Sequence, residues 1–165
     1  TAHGEKGRGE PVPTDGDYSI FIDYAVTPDA IENVLTTLRG IAPKRLVMLF
    51  GAGGDRDRKK RPIMGKLSAD IADFVIVTSD NPRTEDPMSI IEEILPGVRA
   101  GKAPYKVICD RPEAIRWAID HHEPGDVILL CGKGHEDYQI IGHEKIHMDE
   151  REIVADYLAE RAKRT

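Results

Sequence analysis

Four polar strings hold most of the residues in this chain that could do chemistry. The first is Asp23-Tyr24-Ala25-Val26-Thr27-Pro28-Asp29. A carboxylate here could hold a ribose hydroxyl or a metal-bound water; equally, Thr27 or Asp29 could cap a helix with Pro28 in its first turn. The second runs from Gly51 to Pro62 and includes Gly53, Gly54, Asp55, Arg56, Asp57, Lys60 and Arg61. Its glycines let backbone N–H groups approach an anion, and its cations suit an anionic ligand. The same run also reads as a solvated basic loop. The third runs from Ser79 to Pro87. Pro82 stiffens it and biases Asn81 toward an extended conformation. Arg83 then offers a planar fork matched to a carboxylate, although an ordinary turn with Asp86 capping the next helix would use the same residues. The fourth is Gly132-Lys133-Gly134-His135-Glu136-Asp137-Tyr138-Gln139. Two glycines are followed at once by polar and charged side chains. His135 could act as a base or be a hydrogen-bonded structural histidine.

Each string follows a segment that reads as a β-strand. Ser19 to Asp23, Arg45 to Phe50, Phe74 to Thr78, Tyr105 to Cys109 and Asp126 to Cys131 are short, largely apolar runs. Helical patterns separate them: Pro28 to Gly40, Met64 to Ala72, Ser89 to Leu95 with Pro96-Gly97 as a breaker, and Arg111 to His121. Tyr138 to Ile141 and Glu144 to Ile146 flank Gly142-His143 and predict a hairpin. Asp149 to Arg161 predicts a closing amphipathic helix. Alternating strands and helices imply right-handed βαβ units. Strands that are apolar throughout imply helices on both faces. The expected fold is α/β: a three-layer α/β/α, Rossmann-like arrangement with a mostly parallel sheet of about six strands, a C-terminal hairpin and a helix. Ligands in such sheets bind at the carboxyl ends of the strands, where the four strings fall.

Composition narrows the function classes. The chain has 165 residues, enough for one domain with a real core. Residues 1–16, rich in Gly, Pro and charge, read as a linker or the end of a preceding domain, and residues 17–165 as the domain itself. The missing initiator methionine is expected of a domain excised from a longer chain. A net charge of -6 does not favour nucleic-acid binding. No apolar run is long enough to cross a membrane, and the N-terminus lacks the apolar region of a signal peptide. Cys109 and Cys131 read as buried free thiols, which suits a reducing cytoplasm. No Cys or His spacing predicts a metal site. The third glycine of a dinucleotide fingerprint would fall on Arg56, and no G-K-[ST] follows, so neither a dinucleotide fold nor a P-loop is encoded.

Taken together and in this order, Asp23 to Asp29, Gly54 to Asp57 with Lys60-Arg61-Pro62, Asp80 to Arg83, and Gly132 to Gln139 resemble the C-terminal domain of the Mur ligases, in particular the MurE type. The likeness covers Gly7 to Ala159. It implies an ATP-dependent ligase of peptidoglycan synthesis in the cytoplasm. Such a ligase joins meso-diaminopimelate to UDP-N-acetylmuramoyl-L-alanyl-D-glutamate through an acyl phosphate. It also implies that ATP and Mg²⁺ are held mainly by a central domain, so that this domain alone has no catalytic residue or metal ligand and is inactive in isolation. Within the chain it assigns the substrate to Arg56, Asp80, Asn81, Arg83, Gly132 and Glu136. Asn81 and Arg83 would take the distal carboxylate, Glu136 and the Gly132 backbone the distal ammonium, and Arg56 another carboxylate. Asp23 would meet the ATP ribose, and Arg8 would lie near the phosphates. Val26 stands where the family usually has histidine, and Gly9 where it usually has an apolar residue. The alternative is a stand-alone, non-catalytic amino-acid- or nucleotide-binding module derived from such a ligase.

Overall fold

A computed structural model describes residues 7–41 and 43–164. Among them, the chain runs β1 (Glu10–Val12), β2 (Tyr18–Asp23), α1 (Pro28–Arg39), β3 (Arg45–Phe50), α2 (Lys60–Ile71), β4 (Phe74–Val77), α3 (Pro87–Ala100), β5 (Tyr105–Val107), α4 (Arg111–Asp120), β6 (Asp126–Cys131), β7 (Tyr138–Ile141), β8 (Glu144–His147) and α5 (Glu150–Lys163). Six strands form one sheet in the order β1-β2-β6-β3-β4-β5, and β7 and β8 form a separate hairpin. Every pairing in the large sheet is parallel except β1 with β2.

Side chains of a strand alternate between faces, and here both faces are covered. Leu46, Met48 and Phe50 of β3 pack with Leu35, Met64 and Ile91 from α1, α2 and α3. Val47 and Leu49 of the same strand pack with Ile115, Ile119 and Val154 from α4 and α5. These two cores explain why the central strands are apolar without interruption.

The register prepares the site. Asp23 pairs with Cys131, Cys131 with Phe50, and Phe50 with Val77. The last residues of β2, β6, β3 and β4 therefore lie in one row across the sheet. The four polar strings leave from that row at the same edge.

Two elements and one side chain differ from the sequence reading. Glu10–Val12, read as linker or the trailing edge of a preceding domain, adds an antiparallel edge strand. Three residues are too few to show periodicity, and Pro11 is tolerated because an edge strand does not need every N–H. Helix α3 continues through Pro96 and Gly97 rather than breaking there. The ring removes one backbone donor, but Leu95 and Val98 on either side are buried. Gly97 also lets α2 approach so closely that a Cβ there would lie 1.8 Å from the Pro62 carbonyl oxygen. Packing outweighs the local signal. Both cysteines are free, but only Cys131 is fully buried; Cys109 is half-buried.

Candidate functional site

The strands deliver their loops into contact, and side chains then lock the loops together. Gly54 N–H donates to the Asn81 carbonyl at 2.7 Å, so the loop after β3 lies directly on the loop after β4. A Cβ at Gly54 would sit 1.8 Å from the Pro82 carbonyl oxygen; only glycine permits that approach. Thr84 Oγ1 donates to Asp55 Oδ1 at 2.7 Å, and Asp55 N–H to Glu85 Oε1 at 2.8 Å. Arg61 is 1% exposed. Its guanidinium grips both Glu85 oxygens at 2.9 Å and also donates to the Gly53 carbonyl at 2.9 Å. That guanidinium, helped by the Asp55 N–H, holds the Glu85 carboxyl at about 2, well below the usual carboxylate range.

A second brace comes from the hairpin. Arg83 N–H donates to the Ile140 carbonyl at 3.0 Å, and the Arg83 carbonyl accepts from Gly142 N–H at 2.7 Å. Ile140 N–H donates to Asn81 Oδ1 at 2.9 Å. The Gln139 amide donates to Ser79 Oγ at 2.9 Å and to the Asp80 carbonyl. Arg83 is held with φ at 53°, a left-handed conformation uncommon outside glycine. Beneath the loops, fully buried Arg111 donates to the Ser79 and Cys131 carbonyls at 3.0 and 2.9 Å and to Glu150 at 2.8 Å. It ties the ends of β4 and β6 to α5.

These contacts enclose a cavity of about 390 Å³ lined in part by Arg56, Asp80, Asn81, Arg83, Gly132 and Glu136. All six residues that the sequence assigns to substrate thus face one space, from three separate loops. Lys60, Arg61, Asp57, Thr27 and Val26 also line it. The donors left over are informative. Arg83 Nη1 is committed to the Gly54 carbonyl at 3.0 Å, which leaves the Nε/Nη2 edge as a two-donor fork. Asn81 Oδ1 is occupied by Ile140 N–H and the Lys133 ammonium, which assigns the amide and leaves its NH₂ to donate. Glu136 Oε1 lies 3.4 Å from Lys133 Nζ. The cavity therefore offers cations, an amide donor and a carboxylate together.

The two residues expected at a nucleotide sit apart from this lining. Both Asp23 oxygens accept backbone N–H groups, from Ala25 and Gly9, at 2.9 Å. Burial pushes its carboxyl up from the usual range, partly countered by those bonds. The Arg8 guanidinium donates to the Tyr24 hydroxyl and lies 4.9 Å from the centroid of its ring. Thr27 caps α1 by accepting from Ala30 N–H at 3.3 Å, and Asp86 caps α3. His135 is exposed and stands edge-on to Tyr24, with ring centroids 6.4 Å apart.

Residues 7–134 match the family described as Mur ligase, glutamate ligase domain. The chain belongs to this family. It is 54% identical over 158 residues to a UDP-N-acetylmuramoyl-L-alanyl-D-glutamate--2,6-diaminopimelate ligase of Caldanaerobacter subterraneus subsp. tengcongensis, covering 96% of this chain and 33% of that relative. The chain thus spans about a third of the length of the curated relatives it matches. A solved structure of a ligase with the same name superposes with a TM-score of 0.87 at 39% identity, over 96% of this chain and 32% of that one. At 15% identity and a TM-score of 0.59, E. coli FolC in complex with ADP shares the fold, over 97% of this chain and 32% of that one.

For a Mur ligase domain, the six residues assigned to substrate lie on the cavity wall, and the sequence reading misses the groups that hold that wall in place. Arg61 on the wall itself, and Lys133, Glu85, Gln139, Arg111 and Glu150 around it, organise the site. Lys133 and Arg61 lie inside polar strings, yet nothing local marks them as buried. The only available hint is that Lys133 stands between two glycines in a loop and that Arg61 precedes Pro62 in the first turn of α2.

Proposed function

We propose that this domain seats meso-diaminopimelate for transfer onto UDP-N-acetylmuramoyl-L-alanyl-D-glutamate, as part of an ATP-dependent amide-forming ligase of peptidoglycan synthesis acting in the cytoplasm. The observation that supports this most is the convergence of Arg56, Asp80, Asn81, Arg83, Gly132 and Glu136 on one cavity of about 390 Å³. The amino acid carries two carboxylates and two ammonium groups, and this wall has complementary charges of both signs. The Arg83 Nε/Nη2 edge and the Asn81 NH₂ suit the distal carboxylate. Glu136 and the Gly132 backbone suit the distal ammonium. Arg56 suits the second carboxylate. The remaining amine is then held by both ends of the molecule, and catalysis by this domain is largely positioning.

When bound, ATP supplies the phosphoryl group that activates the acceptor carboxylate. The neutral amine attacks that carbonyl, a C–N bond forms, the C–O bond to phosphate breaks, and the amine proton is lost. Asp23 fits a nucleotide in part: its carboxylate already accepts backbone N–H groups, and a remaining lone pair would accept a ribose hydroxyl. Among the described residues no group of three or more His, Cys, Asp or Glu side chains could hold a metal, and no step here runs through magnesium. No helix among them is long and apolar enough to cross a membrane. The alternative of a stand-alone binding module is less favoured, because the matching relatives are named as ligases.

The test is phosphate release by the full-length protein with the UDP-linked dipeptide, ATP and Mg²⁺, supplied in turn with meso-diaminopimelate, lysine, alanine or glutamate. Strong preference for diaminopimelate is expected. Equal or better use of lysine would overturn the proposal.

A further inference from the structure

Among the described residues, Lys133 is the one fully buried lysine, at 0% exposure. Its ammonium has three donors and three oxygens around it. It hydrogen-bonds Asn81 Oδ1 and Glu136 Oε1, the latter at 3.4 Å, and lies 3.1 Å from Asp80 Oδ1. The ammonium also lies over the Tyr138 ring, 5.6 Å from its centroid. Asp80, Asn81 and Glu136 all line the amino-acid cavity, whereas Lys133 stands behind them.

That placement has a chemical consequence. A side-chain amide can present either its oxygen or its NH₂ to a ligand, and the two faces select opposite partners. An NH₂ turned toward Lys133 would oppose donor to donor beside a buried positive charge, in surroundings where such a clash is poorly screened. With the ammonium in place, the oxygen must turn inward and the NH₂ toward the cavity. Ile140 N–H supports the same orientation from the backbone. The charge also balances Asp80 and Glu136, so that one carboxylate can remain on the wall for an ammonium.

We propose that Lys133 is a positioning residue for amino-acid selection: it fixes the polarity of Asn81, and so makes that position read a carboxylate. This rests on the reading of the cavity as a diaminopimelate site. Lys133 itself touches no substrate.

The experiment measures kcat/KM for meso-diaminopimelate and lysine in the full-length ligase, for wild type, Lys133→Met, Asn81→Ala and the double variant. Lys133→Met is expected to lower the diaminopimelate-to-lysine ratio roughly tenfold, the effect of one lost charge-assisted hydrogen bond. In the Asn81→Ala background it should lower the ratio no further, because the two residues act as a unit. Equal losses for both amino acids, or full additivity, would show a structural role only and overturn the proposal. Should Lys133→Met fail to fold, Asn81→Asp decides the matter with Lys133 intact. One oxygen then stays on the ammonium and the other faces the ligand, so diaminopimelate should lose its advantage over lysine; an unchanged ratio overturns the proposal. A wild-type enzyme that does not distinguish the two amino acids would instead overturn the cavity reading itself.

Discussion

Arg83 N–H donates to the Ile140 carbonyl across 3.0 Å, joining a loop of the large sheet to a hairpin that shares no strand with it. The hairpin is therefore a brace for the loop that carries Asn81 and Arg83. Gln139, in the same strand as Ile140, adds side-chain bonds to Ser79 and the Asp80 carbonyl. Gln139→Met keeps the volume but removes both donors. It should raise the KM for diaminopimelate by several-fold while changing kcat less, since two neutral hydrogen bonds contribute about 0.5–1.5 kcal/mol each. Steady-state kinetics in the full-length ligase checks this; an unchanged KM would show that β7 does not brace the loop.

Gly54→Ala should separate the loops after β3 and β4. The added methyl would meet the Pro82 carbonyl oxygen at 1.8 Å, and neither backbone can yield without moving Arg83, whose Nη1 is anchored to the Gly54 carbonyl. The expected outcome is a folded protein with thermal stability lowered by about 1–3 kcal/mol and diaminopimelate use lowered more than tenfold. Circular dichroism melts beside the ligation assay test both parts. Wild-type kinetics would mean that the loop contact is incidental.

Acid should loosen the same loops through Glu85. Its carboxyl titrates near 4.5 when unfolded and is held at about 2 in the fold, first by Arg61 and then by the Asp55 N–H. A carboxyl lowered in the folded state adds stability that is fully present above the unfolded value and is lost as pH falls through the folded one. The Glu85 contribution should therefore fade between about pH 4.5 and 2. Urea unfolding from pH 7 to pH 2 should show wild type more stable than Glu85→Gln at neutral pH, with the gap closing across that window. A constant gap would contradict the Arg61–Glu85 linkage.

How much of this was legible in the sequence follows from the range of each interaction. Val75 to Val77 and Val127 to Cys131 are apolar because two helical layers cover them, and that is visible in a few consecutive residues. The position of Asn81 and Arg83 after a strand is equally local. By contrast, the partners of Lys133 at Asn81 and of Arg111 at Glu150 lie 52 and 39 residues away. A lysine between two glycines and an arginine opening a helix look like solvated charges until the chain is folded. Arg61 is the same case, since a basic run ordinarily stays in water. The continuation of α3 through Pro96 was hidden for the opposite reason: the local signal is strong, but buried Leu95 and Val98 outweigh it.

Breaking the buried pair should be costly for the whole domain. Arg111 and Glu150 are both fully buried, and Arg111 also donates to Ser79 and Cys131 carbonyls. Arg111→Met would leave the Glu150 charge and two carbonyls unsatisfied, a loss of about 3–5 kcal/mol. Urea unfolding at neutral pH gives the number, and a loss below about 1 kcal/mol would mean that water replaces the guanidinium.

Arg83 should decide between diaminopimelate and lysine. The two amino acids differ by one distal carboxylate, and in the proposed pose that carboxylate meets the Nε/Nη2 edge of Arg83. The guanidinium is preorganised: Nη1 is fixed to Gly54, the backbone is clamped to Ile140 and Gly142, and Pro82 precedes it. Little freedom is lost when the ligand arrives. Charge-assisted hydrogen bonds contribute about 1.5–3 kcal/mol each, so Arg83→Ala should lower kcat/KM for diaminopimelate by two or more orders of magnitude. Lysine has no carboxylate at that end and should suffer much less. Asn81→Ala should act in the same direction but more weakly, because a neutral amide donates a weaker bond. Arg83 sits at φ 53°, and alanine there is no better suited to the left-handed region. Arg83→Lys separates the effects, since it keeps the charge and the loop but loses the planar fork. It should recover part of the diaminopimelate activity. Parallel losses for lysine and diaminopimelate in Arg83→Ala would show that the residue shapes the loop and does not read the carboxylate.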